Sequence, residues 1–146
     1  MKPPRYWIIV ASKEHVMLAV NGGFAMANHG KRAGLARMHA GDRIICYSPK
    51  VAFGGTEPLH AFTALGTIAD NEIVQEELLP GFTPFRRKVR YEYTGEIRID
   101  PLVRDLGFIR NKRSWGAVFR FGLHEIPEKD FRIILKAFEK EGTKRE

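Results

Sequence analysis

An α+β fold is predicted: one strongly bent mixed sheet or small barrel, flanked by short helices and followed by an amphipathic C-terminal helix. Three features of the sequence carry this expectation. The strand-like runs are short and are separated by glycine- and proline-bearing turns. The regular strand-helix alternation of a doubly wound parallel sheet is missing. One strongly periodic helix stands at the end, with Phe131, Ile134, Leu135 and Phe138 recurring at i, i+3, i+4 and i+7.

Tyr6-Trp7-Ile8-Ile9-Val10-Ala11 is an aromatic and β-branched run bounded by Pro4 and Ser12, and reads as a buried strand in the middle of the sheet. Ser12 suits a helix N-cap, Glu14 favours the dipole in the first turn, and Asn21-Gly22-Gly23 supplies the stop. Val16, Met17 and Val20 then face inward. From Phe24 to Met38 the pattern is irregular: Asn28-His29-Gly30-Lys31 reads as a polar loop and Leu35 to Met38 as a helical turn. After a turn at His39-Ala40-Gly41-Asp42, Arg43 to Ser48 and Ala61 to Ala69 read as an antiparallel strand pair around a loop from Pro49 to His60.

Pro80 to Pro84 is a second turn-rich connector. Beyond it, Val89, Tyr91 and Tyr93 alternate with Lys88, Arg90 and Glu92 in a half-exposed strand. Ile97-Arg98-Ile99 suggests another short strand, Pro101 to Leu106 a short helix with proline at its first position, and Trp115 to Phe121 a final strand. The last helix is expected from Pro127 to about Lys140, with a frayed tail over residues 140–146. No repeat or linker is visible, so the 146 residues are expected to form one domain with a core over about residues 5–139.

Composition narrows the function. No run approaches the length of a membrane span and no signal-peptide pattern is seen at the N-terminus, so an intracellular, cytoplasmic protein is expected. Cys46 is the sole cysteine, lies in a strand-like run and is expected to be inert. The single glutamine and four asparagines are few thermolabile amides, as in a thermophile. A net charge of +7 favours polyanionic partners. The surplus is concentrated, since residues 86–120 hold ten basic and four acidic side chains.

No Walker or dinucleotide-type glycine loop, His-Glu-x-x-His motif or nucleophile elbow is present, and the five histidines lack metal-ligand spacing. The sequence therefore assigns no catalytic residue, no metal and no cofactor. It offers binding groups instead. Ser12-Lys13-Glu14-His15 stands at a helix N-terminus, where an anion is favoured but where plain capping uses the same residues. Asn28 could present donor and acceptor to a base edge with Lys31 near a phosphate, although a simple turn has the same letters. Phe24, Phe53 and Trp115 lie beside glycine or polar residues and are candidate stacking walls. Trp7 is assigned to the core. Arg86, Arg87, Lys88, Arg110, Lys112 and Arg113 are candidate backbone contacts, or else a solvated face.

Several segments in order resemble the EVE domain family. They are Tyr6-Trp7-Ile8 with Ala11-Ser12-Lys13 and His15, Gly22-Gly23-Phe24-Ala25, Asn28-His29-Gly30-Lys31, Tyr47-Ser48-Pro49-Lys50, Pro80-Gly81-Phe82, Phe85-Arg86-Arg87, and Lys112-Arg113-Ser114-Trp115-Gly116 before Phe119-Arg120-Phe121-Gly122. The resemblance runs from about Tyr6 to Phe138 and implies a PUA-like bent barrel, related to YTH and ASCH domains, that binds DNA or RNA and reads a modified base. It implies a pocket lined by Ser12, Lys13, Phe24, Ala25, Asn28, His29, Lys31, Ser48 and Pro49, with Phe53 and Trp115 as walls. Arg86, Arg87, Lys112 and Arg113 would contact phosphates. The three-tryptophan cage of many YTH readers is not visible, because only Trp7 and Trp115 exist. The alternatives are an enzyme acting on nucleic acid, with Lys13 or His29 as base, and a binder of small anions or metabolites.

Overall fold

The computed structural model describes residues 3–145. Its strands are β1 (Tyr6–Val10), β2 (Phe24–Ala25), β3 (Arg43–Lys50), β4 (Pro58–Ile68), β5 (Val74–Gln75), β6 (Phe85–Arg98), β7 (Leu123–Ile126) and β8 (Thr143–Lys144). Its α-helices are α1 (Lys13–Gly22), α2 (Arg32–Leu35) and α3 (Glu128–Glu141). The strands form one mixed sheet, ordered β2-β6-β4-β3-β1-β7, with β5 and β8 also on β6. β1 and β3 are parallel, and β1 pairs antiparallel with β7 on its other side. Register shifts interrupt both ladders of β4, at Cys46/Tyr47 and Ser48/Lys50 towards β3 and at Phe62/Ala64 and Leu65/Gly66 towards β6. Such irregularities sharpen strand twist and curl the sheet into a half-barrel.

Period-two alternation sends successive side chains to opposite faces. Trp7, Ile9, Ile44 and Cys46 pack with Val16 and Val20 of α1, whereas Ile8, Ile45 and Tyr47 pack with Phe131, Ile134 and Phe138 of α3. The sheet is therefore covered on both faces. Trp7 is fully buried, and its Nε1 donates to Asp42 Oδ2 at 3.0 Å. Helix α1 starts where Ser12 Oγ accepts from His15 N at 3.3 Å. It ends where Gly23 takes a left-handed conformation, φ 71°, that only glycine adopts without cost. Val16 and Val20 are buried as expected, Met17 partly.

Four expectations are corrected. Trp115 to Phe121 is no strand: Trp115–Arg120 forms a 3-10 helix. Asn111 Oδ1 turns the chain just before it by accepting from both Arg113 N and Ser114 N at 3.1 Å. The strand beside β1 is Leu123–Ile126 instead. Residues 85–98 form a single strand with no break before Ile97. The helical turn near residue 35 is centred earlier, at Arg32–Leu35, with single-turn hydrogen bonds continuing it to Met38. The tail is not frayed over residues 140–145: α3 runs to Glu141, β8 pairs with Tyr93 and Thr94, and Arg145 N donates to Glu92 O at 2.8 Å. Glu146 lies outside the described residues.

Candidate functional site

β1 and β3 end on the same side of the sheet because they are parallel. Open sheets commonly place ligands beyond such carboxyl ends. Backbone hydrogen bonds bind the segments that leave this end: Ala11 N donates to Tyr47 O at 3.0 Å, Glu14 N to Val51 O at 2.9 Å, and Val10 N to Gly122 O at 2.9 Å. Ser12 and α1, the loop after Lys50, and the start of β7 are thereby brought together.

The turn Asn28–Gly30 completes this group. Asn28 and His29 have φ values of 51° and 61°, left-handed conformations unusual for non-glycine residues. The Asn28 side chain lies against Gly34 and Gly122. A Cβ on Gly122 would overlap Asn28 Oδ1, and one on Gly34 would come within 3.3 Å of Asn28 Nδ2. Gly122 is thus required for the Asn28 carboxamide to lie where it does. Beside it, Phe53 is 59% exposed, stacks on His15 with ring centres 4.8 Å apart, and meets His29 edge-on at 6.5 Å. A cavity of about 20 Å³ lies among His15, Ala25, Cys46 and Tyr91. It is too small for a heterocycle, and a planar ligand on this side of the molecule would meet instead the surface mouth formed by the cavity-lining His15, the exposed Phe53 stacked on it and the Asn28–His29 turn.

Two cations adjoin this mouth along the chain: Lys31 directly follows the Asn28–Gly30 turn, and Arg120 stands two residues before Gly122. Lys13 is ion-paired with Glu96. Lys31, Arg113 and Arg120 are exposed, with no ion-pair partner among the described residues. Pro49, half-buried, lies in β3 on the strand that leads to the loop bearing Phe53.

Other expected residues serve elsewhere. Ser48 is fully buried and shares a 2.8 Å hydrogen bond with Thr63. Phe24 is buried in β2, under the Arg86 guanidinium at 4.3 Å from the ring centre, and Arg86 is itself paired with Glu76. Phe24 and Arg86 border a separate cleft of about 340 Å³, where Asp70, Glu72 and Glu76 outnumber the cations of Arg86 and Lys88 and so disfavour phosphate. Arg87 is only 2% exposed and is not a phosphate contact. Its Nη1 donates to Leu35 O at 2.9 Å and Met38 O at 2.7 Å, and its Nη2 to Asp70 O at 2.7 Å. Burial lowers its pKa from the ordinary arginine value. Lys112 Nζ is likewise occupied, donating to Val103 O at 3.0 Å and Leu106 O at 2.7 Å. Trp115 packs edge-on against His60 at 5.4 Å and Phe119 at 6.4 Å, a different set of rings from that around Phe53. Cys46 is buried, and desolvation pushes its thiol up to about 12.

The family model described as EVE domain matches residues 5–137. The chain belongs to the EVE domain family. A UPF0310 protein of Mycolicibacterium vanbaalenii is 47% identical over 131 residues, 90% of each chain. Another from Bacillus licheniformis is 46% identical, covering 86% of this chain and 85% of its own. Among solved structures, the YTH domain of the Zygosaccharomyces rouxii MRB1 protein, in complex with N6-methyladenosine RNA, aligns with a TM-score of 0.62 at 18% identity. It covers 94% of this chain and 88% of that one. A hypothetical protein from Leishmania major aligns at 0.54 with 14% identity, over 94% and 96% of the two chains. These neighbours share the PUA-like architecture of this EVE domain.

Two residues of this cluster were absent from the expected set. His15 was visible as part of the first motif, one helical turn beyond Ser12, but its ring reveals a role only beside Phe53. Gly122 meets Asn28 across 94 positions of sequence, a contact that spacing cannot show.

Proposed function

We propose that this EVE domain is a non-catalytic, single-domain binder of DNA or RNA that reads a modified base at the mouth formed by Phe53, His15 and the Asn28–His29 turn. The seating of Asn28 between two glycines, on a left-handed backbone, carries this reading. Non-glycine residues in such conformations tend to cluster at functional sites, and a carboxamide can offer a donor and an acceptor to one base edge. The base would stack on Phe53, whose loop lies between two strands, and displace the His15 ring. Lys31 and Arg113 would hold the flanking phosphates. The methyladenosine RNA bound by the structurally similar YTH domain supports a nucleic-acid ligand. The walls here differ, since Trp7 is buried and Trp115 packs with His60 and Phe119, which favours a base held by phenylalanine and imidazole.

Fluorescence anisotropy with a panel of modified and unmodified oligonucleotides tests the proposal. One modified base should bind best, and Asn28→Ala should weaken that complex about tenfold or more, the value of one well-formed base contact. Equal binding of every oligonucleotide, unaffected by Asn28→Ala, would refute base reading. Cleavage or base release during the incubation would point to an enzyme.

A further inference from the structure

Phe121 is 70% exposed, the most exposed large apolar side chain among those described, and directly precedes the glycine that seats Asn28. It is held rather than loose. His124 Nε2 lies 2.9 Å from Phe121 O, and the two rings meet edge-on at 6.1 Å. His124 in turn meets Phe119 at 6.3 Å, and Phe119 stacks on buried Tyr47 with centres 3.9 Å apart. A series of rings therefore runs from the core to an aromatic face in solvent. Burial of such a ring against protein is favourable, yet Phe121 stays in solvent, next in sequence to Arg120, an exposed cation with no ion-pair partner among the described residues.

We infer that Phe121 is a stacking platform for the base next to the one read at Asn28, so that the site takes a run of single-stranded nucleotides rather than an isolated base. The inference rests on the proposed base-reading mouth and extends it along the strand. Three observations support this occupant. Phe121 and Phe53, the two most exposed phenylalanines, flank one turn: Phe121 through Gly122 and Asn28, Phe53 through His29. Aromatic faces beside exposed cations match a chain of bases joined by phosphates. A duplex presents no unstacked base to such a ring.

The test uses the full chain with a short single-stranded adenine oligonucleotide, an abasic oligonucleotide of the same length and charge, and adenosine monophosphate. Phe121→Ala should weaken binding of the adenine strand roughly tenfold, leave the abasic strand and the mononucleotide unchanged, and be rescued by Phe121→Trp. An equal loss for the adenine and abasic strands, or no loss for either, overturns the inference. Asn28→Ala is measured in parallel. Loss of modified-base preference on Asn28→Ala with no effect of Phe121→Ala would sink the platform and leave the reading mouth standing. The reverse pattern would sink the mouth alone. Unchanged circular dichroism and melting temperature in Phe121→Ala, expected at so exposed a position, tie the readout to binding.

Discussion

Left-handed backbone at His29 costs an L-residue on the order of 1 kcal/mol, a strain that glycine would relieve. His29→Gly should therefore raise the unfolding free energy by about 1 kcal/mol in urea titrations while weakening oligonucleotide binding, because the edge contact to Phe53 disappears. Gly122→Ala should also impair binding, by driving Asn28 from its seat and abolishing base preference, with little loss of secondary structure. Arg87 makes three hydrogen bonds from a buried charge, so Arg87→Ala should destabilise the fold by about 3 kcal/mol. It should leave the salt dependence of binding unaltered in the folded fraction. The sequence did carry a signal for this role. Arg87 falls in phase with Val89 and Tyr91, which line the core, and out of phase with Arg86 and Lys88. A run of three cations nevertheless looks the same whether its middle member is buried or exposed. Asn28 stands out in the sequence because its carboxamide suits both a turn and a base edge, and the letters alone do not separate the two.

At the scale of elements, β1, α1 and α3 could be read from the chain because their signals are local: a β-branched run, a serine cap with a glycine stop, and a helical apolar stripe. Trp115–Arg120 could not, because an alternating aromatic pattern there serves rings stacked on one another rather than a ladder. The C-terminal strand was missed for a related reason: pairing along β6, not composition, fixes two residues in place. The Arg145 amide should exchange slowly with solvent deuterium, since it donates to Glu92 O. On β7, desolvation lowers the His124 pKa below its usual 6.5. The unfolded chain then binds a proton that the folded one resists, so the stability associated with this group is present above about pH 6.5 and is lost as pH falls below it. Melting temperatures should drop over that interval, and the drop should be smaller in His124→Gln.

For the molecule as a whole, a net charge of +7 and three exposed cations without an ion-pair partner among the described residues, Lys31, Arg113 and Arg120, imply counterion release on binding. With three phosphates engaged on a single strand, log K should fall with log salt at a slope of about −2, and Lys31→Ala or Arg113→Ala should each reduce it by about 0.7. The arrangement of β1 has a separate bearing on biosynthesis. Its neighbours, β3 and β7, emerge from the ribosome well after it does, the second only once residues 123–126 have been made. Until then, β1 keeps at least one backbone edge unsatisfied beside Trp7, Ile8 and Ile9, an invitation to intermolecular pairing. Nascent chains stalled before residue 123 should accordingly depend on chaperone protection, whereas the released polypeptide should not.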